Sequence, residues 1–473
     1  MLTYGLRWDV NFVPTSLHGP DFLAVTGFNL QDLSGLTPAR TGTPLYHTKY
    51  TNFAPRLGLT WQISQSPLWQ TVLRGGAGMF YDLATSEIGN SIGIGSGYPF
   101  GNEVFNSGGS FPLSQGEAVP PAITPPSPSN PQFIYAFDPH LRLPVTVEWN
   151  VALEQALGRQ QTISATYLAA SGRRLLQTAF VLLSDNPELL GADLVTNAGT
   201  SRYDALQLQF QRKLNAGLQA LASYTLAHSI DTGSAGSAAA LPNVLLPGLD
   251  LKGNRGPSDF DARHAFSAGL TYDLPVHNSS PLLNTIARGW SVENIVQVRA
   301  SLPVDVSDGN FFEFNGGFTG DIRPDVVRSQ PLYLYGRVCS ATFGVPQCPG
   351  GKGINPAAFT DPPTDSQTGN PLRQGNLSRN ALRGFGVIQW DFAVHRELSL
   401  HESVKLQFRT EMFNILNHPN FAPPNSTFGS GGFGLSSQLL NHGLNQNPGG
   451  GGFSSLYQIG GPRSVQFALK LFF

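Results

Sequence analysis

Residues 2–12 read LTYGLRWDVNF, and every second residue is apolar: Leu2, Tyr4, Leu6, Trp8, Val10 and Phe12 alternate with Thr3, Gly5, Arg7, Asp9 and Asn11. A strict period of two puts the two sets on opposite faces of a β-strand. The same split recurs along the chain. Leu57, Leu59, Trp61 and Ile63 oppose Arg56, Gly58, Thr60 and Gln62, and Val145, Val147, Trp149, Val151 and Leu153 oppose Thr146, Glu148, Asn150 and Glu154. Leu206, Leu208 and Phe210 oppose Gln207, Gln209 and Gln211, while Phe266, Ala268, Leu270, Tyr272 and Leu274 form one face of a later segment. Val404, Leu406 and Phe408 oppose Lys405, Gln407 and Arg409, and the chain ends with Val465, Phe467, Leu469, Leu471 and Phe473 against Ser464, Gln466, Ala468 and Lys470.

Twelve strands are predicted, near residues 2–13, 53–63, 70–83, 144–155, 160–170, 203–214, 217–227, 264–274, 289–300, 387–398, 403–416 and 463–473. At ~3.3 Å per residue and a tilt of roughly 40°, eleven residues rise about 28 Å, enough for the ~25 Å apolar band of an outer-membrane barrel. Strands of soluble sheets are usually about half that length.

The connections alternate. Short ones are expected at 64–69, 156–159, 215–216 and 399–402, and long ones at 14–52, 84–143, 171–202, 228–263, 301–386 and 417–462. Short periplasmic turns alternating with long extracellular loops are the order of an outer-membrane barrel. The expected fold class is therefore all-β: an antiparallel transmembrane barrel, or part of one, of at least twelve strands, with Phe473 on the periplasmic side.

Composition agrees. Of 473 residues 40% are hydrophobic and only 13% charged, with 53 Gly and 36 Pro, against the roughly 25% charge usual in soluble chains. The net charge of −2 removes the electrostatic basis for a nucleic-acid partner. No apolar run approaches the ~18 residues of a transmembrane helix, and a mean hydropathy of −0.10 is what alternating strands average to.

Turning the first strand over would put Arg7 and Asp9 into hydrocarbon, at about 2–4 kcal/mol for a midplane Arg, so the apolar rows are expected to meet lipid. Tyr4, Trp8, Trp61, Tyr81, Trp149, Tyr167, Trp290, Trp390 and Phe473 lie on those rows. They suit interfacial girdles, ordinary strand aromatics being the other reading. Arg7, Arg56, Arg74, Glu148, Lys405, Arg409 and Glu411 fall on the opposite rows and are the candidates for a polar lumen, as are Glu154 and Lys470.

The two cysteines, Cys339 and Cys348, stand close together in a Gly/Pro-rich loop. That suits a local disulfide in an oxidising compartment, with two free thiols as the alternative. The opening residues have no basic, apolar and small-residue succession of a signal peptide. Met1 enters a strand at once, so the expectation is a C-terminal portion of a longer protein, residues 1–473 forming one barrel unit.

Several segments resemble the Oar-like barrel of TonB-dependent outer-membrane transporters. The most specific runs from Gln407-Phe-Arg409 through Glu411-Met-Phe-Asn-Ile-Leu-Asn-His-Pro-Asn-Phe421. Ser258-Asp-Phe-Asp-Ala-Arg-His-Ala-Phe266, Ile354-Asn-Pro-Ala-Ala-Phe359, Asn380-Ala-Leu-Arg-Gly384 and the ending from Gly461 to Phe473 are similar too. The resemblance covers the C-terminal half densely and the N-terminal half loosely. It implies uptake of a bulky substrate and a wall that is part of about twenty-two strands. It also implies that signal peptide, regulatory-like domain, plug and TonB-contacting segment are absent here, so that the TonB system is reached only through a missing N-terminal region. Phe467, Leu469, Leu471 and Phe473 resemble the signal read by the barrel assembly machinery. Lipid and that machinery are the expected partners.

Site chemistry is sparse. Asp259, Asp261 and His264 could ligate a metal, but Asp and Arg263 at a turn entering a strand more often tie down backbone or pair with each other. The Gly-rich stretches 93–97, 429–434 and 449–452 lack the Lys-Ser/Thr of a phosphate loop and read as flexible loops. The prolines between 120 and 131 read as a stiff segment that cannot pair in a sheet. No nucleophile elbow or zinc-protease motif is present, so neither catalysis nor a cofactor is expected. The alternatives to a transporter-like barrel are a stand-alone passive porin or non-functional barrel fragment, and a soluble sandwich that would bury its apolar rows face to face.

Overall fold

In the computed structural model the alternating segments are strands, and each pairs with its successor. The structure describes residues 1–18, 21–30, 32–82, 98–99, 112, 114–116, 119, 122–234, 254–275, 288–308, 311–313, 319–400, 404–440 and 460–473. The Gly-rich stretches at 93–97 and 449–452, and Pro120 and Pro121, lie outside these residues.

Twelve strands form the main path: β1 Leu2–Trp8, β2 Phe53–Ser64, β3 Thr71–Tyr81, β4 Val145–Leu157, β5 Gln161–Leu182, β6 Leu189–Asn215, β7 Leu218–Asp231, β8 His264–Asp273, β9 Trp290–Arg299, β10 Val387–Ser399, β11 Lys405–Phe413 and β12 Ser464–Phe472. All are antiparallel to their path neighbours, in sequence order. Such a meander puts the connections after β1, β3, β5, β7, β9 and β11 at one end, the long-loop end. The tightest turn at the other end is Ala216-Gly217, with φ of 49° and 77°. Positive φ at both central residues matches the twist of the flanking strands.

The register carries the apolar rows around the sheet without a break in facing. Leu59 stands opposite Leu2, Val151 opposite Tyr167, Leu206 opposite Leu226, and Val298 opposite Phe266. These side chains are uncovered: Tyr4 is 85% exposed, Trp61 58% and Phe467 70%. Eight of the nine aromatics expected on the apolar rows keep that facing by register, and Phe473 lies one residue beyond the last strand. A soluble sandwich would bury this face; here it forms one continuous apolar band.

The buried clusters lie instead in the connections and strand extensions at the long-loop end. Leu36, Ile134, Val181, Leu189 and Leu194 form one, and Leu45, Tyr46, Phe137, Leu141 and Val195 a second.

Three boundaries differ most from the sequence reading. The connection expected at 171–202 is mostly strand, because β5 and β6 continue pairing out to Leu182 and Gly191. Most leucines, alanines and valines of this extension are covered on both faces, Leu190 excepted, which erases the period-two signal. The segment Gln132–Phe137, expected as loop, runs parallel to β6. It begins directly after Pro131, and the described prolines Pro125, Pro126, Pro128 and Pro131 themselves belong to no strand. The first strand ends at Trp8 rather than at 13, and the Asn52 side chain takes the carbonyls of Asp9 and Lys49 there.

One edge of the sheet is β1, whose one partner among the described residues is β2. Among the described residues the other edge is β12, paired only with β11, and the sheet is not closed on itself.

Candidate functional site

The face opposite the apolar band is polar. By register Arg7, Arg56, Arg74, Glu148, Lys405, Arg409 and Glu411 all lie on it, as do Glu154 and Lys470. Charges on neighbouring strands pair there: Arg74 meets Glu154 at 3.1 Å and Lys405 meets Glu397 at 2.6 Å. Arg56 lies over the Phe80 ring, 4.4 Å from its centroid. The densest group spans β9 to β11. Arg409 grips Glu293 with both terminal nitrogens at 3.0 and 2.7 Å and Glu411 through Nε at 2.7 Å, while His395 Nδ1 lies 3.2 Å from Glu293. A bidentate guanidinium between two carboxylates fixes both.

At the long-loop end two segments singled out from the sequence meet. Ser258–Phe266 precedes and enters β8, and Asn380–Gly384 precedes β10. Arg383 Nη2 donates to Asp261 Oδ2 at 2.6 Å and its Nη1 to the Asp261 carbonyl at 2.6 Å. Asp261 also accepts from the Ser229 N–H at 2.8 Å, with His228 Nδ1 at 3.1 Å. Arg263 is 3.7 Å away, the weaker partner. Burial alone would push the Asp261 carboxyl up; Arg383, the Ser229 amide and His228 together hold it below the usual carboxylate range.

Next to this pair Arg379 is fully buried. Its guanidinium contacts the Asp231 carboxylate, lies 3.4 Å from Asp259, and donates to the carbonyls of Asn254 and Asp231 at 3.0 Å each. Asn380 donates to Asp259 at 2.6 Å and to the Pro257 carbonyl at 2.8 Å. Arg323 adds Asp305 at 3.1 Å and Asn254 at 2.6 Å. Burying guanidinium groups is costly unless carboxylates and carbonyls satisfy them. Arg379 is satisfied by partners more than a hundred residues away, and Arg323 by Asp305 and Asn254, 18 and 69 residues away.

The connection from β9 to β10 has its own core of Val304, Val306, Ile354, Ala358, Phe359 and Leu382. Its Ile322 enters the cluster formed with the β5–β6 extension. Cys339, in helix α1 (Gly336–Phe343), is bonded to Cys348, nine residues on. Lys352 donates to the Gly384 carbonyl at 2.6 Å, and burial pulls its ammonium down from the usual lysine range. This connection is a folded cap latched to the rim.

The residues weighed for metal go separate ways: Asp259 to Arg379 and Asn380, Asp261 to Arg383, and His264 Nδ1 to the Tyr224 hydroxyl at 2.7 Å. Among the described residues no three His, Cys, Asp or Glu side chains gather as a metal site. Sequence reasoning missed Arg379, Arg323, Asp231 and Asp305. The only signal was the position of Arg379 immediately before the singled-out Asn380–Gly384. Phe467, Leu469 and Leu471 lie on the apolar face of β12, and Phe473 follows the last paired residue.

Residues 1–446 match the family model described as outer membrane beta barrel domain. No curated protein matches. Among solved structures, the outer membrane transporter YddB from Escherichia coli aligns over 90% of this chain and 41% of its own, at 10% identity and a TM-score of 0.45. The ferric-catecholate import receptor Fiu from K12 E. coli aligns over 100% and 42%, at 10% identity and 0.40. The ferripyoverdine receptor of Pseudomonas aeruginosa aligns over 91% and 34%, at 8% and 0.38. The chain thus spans less than half the length of these proteins.

Proposed function

The chain belongs to the outer membrane beta barrel domain family, and we propose that it forms the C-terminal part of the wall of a TonB-dependent, transporter-like barrel that takes up a bulky substrate across the bacterial outer membrane. The observation that carries this reading is the separation of faces: an exposed apolar band on one side and ion-paired charges on the other, sustained through twelve strands. Lipid takes the first face and a water-filled or plugged lumen the second. Arg7, Arg56, Arg74, Glu148, Lys405, Arg409 and Glu411 line that lumen.

The free edges of β1 and β12 support the partial-wall reading. Unpaired backbone groups in hydrocarbon cost several kcal/mol each, so both edges are paired in the membrane by strands outside these twelve. Coupling to TonB is then supplied by a plug-bearing segment N-terminal to these residues. The long-loop end is extracellular, and its cap over the rim contributes to substrate choice. The row Phe467, Leu469, Leu471 and Phe473 is presented to the barrel assembly machinery.

The test is the transcript upstream of the Met1 codon. A frame that continues through further alternating strands and a plug supports the transporter reading. A stop codon, or a signal peptide placed directly before Met1, overturns it and leaves a passive pore or a remnant.

A further inference from the structure

We propose that the outer rim carries a docking groove for one acyl chain of a membrane lipid, held between the wall and the turn that follows the disulfide. The groove encloses about 960 Å³, inside the roughly 300–1,000 Å³ range of small-ligand sites. Its floor is one level of the lipid-facing row: Tyr224, Phe266, Val298 and Ile388 stand side by side on β7, β8, β9 and β10. Its roof is the turn Cys348–Gly351 with Phe385 and Phe421.

The sequence explains why the roof overhangs. Gly350 has φ of 63°, and a Cβ there would stand 2.4 Å from the Phe385 ring and 3.2 Å from Phe421. Only glycine lets this turn lie flat against the two rings, whose centroids are 5.5 Å apart. Cys348 is tied to buried Cys339, so the turn is anchored from behind.

An acyl chain is the occupant the surface selects, because the floor is continuous with the membrane-facing band. The next level down, Ala222, Ala268, Val296 and Trp390, is the same row of the same strands. A chain rising from the adjoining leaflet enters along this apolar row, Arg299 and Gln347 being among the residues that line the groove. At the upper end His264, its Nδ1 held by the Tyr224 hydroxyl, and His418 sit where the polar headgroup would lie. An apolar body with a polar tip is the chemistry of an interfacial lipid site. The inference rests on the membrane placement of the wall and not on transport.

The test uses full-length protein in outer membranes, with a photoreactive benzophenone amino acid replacing Phe421 in the roof or Leu270 on the open band. Lipid-mass adducts are expected at both positions. In the Phe421 probe protein, Val298→Trp fills the floor and is expected to reduce the roof adduct about tenfold, since two methylenes of burial are worth roughly that much in occupancy. Leu270 labelling is expected to be unchanged. Adducts at Leu270 with none at Phe421, a protein adduct at Phe421, or a roof adduct indifferent to Val298→Trp overturns the groove. Loss of lipid adducts at both positions overturns the membrane placement and the groove with it.

Discussion

Arg383 and Asp261 stand 122 residues apart in the chain and meet at 2.6 Å on the rim of the sheet. One precedes β10, the other β8, and β9 runs between those strands. With Arg379 reaching Asp231 and Asp259 beside it, the pair latches the β9–β10 connection to the end of β7 and the entry of β8.

Breaking the latch should loosen the cap without unfolding the wall. Arg383→Ala leaves a carboxylate that is 1% exposed with only His228, Arg263 and an amide, at a local cost of about 2–4 kcal/mol. The expected outcome is much faster protease cleavage between 301 and 386 on intact cells, with normal outer-membrane assembly. Arg383→Ala with Asp261→Asn should recover part of the protection, because the orphaned charge is gone; equal cleavage in both variants would contradict the latch.

The face assignment gives a sharp contrast between neighbours. Leu270 lies on the apolar band near the middle of β8, and Thr271 on the polar face. Leu270→Arg should cost about 2–4 kcal/mol at the midplane and lower the folded fraction in outer membranes, read as protease-resistant protein. Thr271→Arg should be near neutral.

The disulfide closes a short loop, with a sequence separation of nine. Constraining so short a loop is worth about 2–3 kcal/mol. Both thiols should resist alkylation until a reductant is added, read as a mass shift. Cys339→Ser should expose the turn at Cys348–Gly351 to protease.

A buried carboxyl gives the β5–β6 extension a pH dependence. Burial pushes the Asp193 carboxyl up to about 6, and Tyr135 beside it is raised by burial and by the Asp193 charge. A carboxyl whose folded pKa lies above its unfolded value holds its proton more tightly when folded. Local stability therefore falls as pH rises from the ordinary aspartate value of 3.8 to about 6, and the deficit is full above that window. Asp193→Asn should slow amide exchange in the extension at pH 7 by the equivalent of about 1–3 kcal/mol and flatten the dependence between those values. Asp261 has the opposite sign: its folded pKa is lowered, so its contribution persists above the usual carboxylate range and is lost only as pH falls through the folded value.

The sequence by itself determined the wall. Period-two alternation is a local property, so Leu2 to Trp8 and the eleven later segments announced their strands and their two faces without any partner in view. The positions of Arg7, Arg56, Arg74, Glu148, Lys405, Arg409 and Glu411 opposite the apolar row follow from the same parity. What only the tertiary structure decided is the rim. The β5–β6 extension is covered on both faces by Leu36, Ile134 and Ile322 among others, so its residues lost the alternation that marks a half-exposed strand. Arg379 finds Asp231 across 148 residues and Arg383 finds Asp261 across 122. Such pairs leave no spacing in the chain, because the geometry joining them is made by strands brought edge to edge.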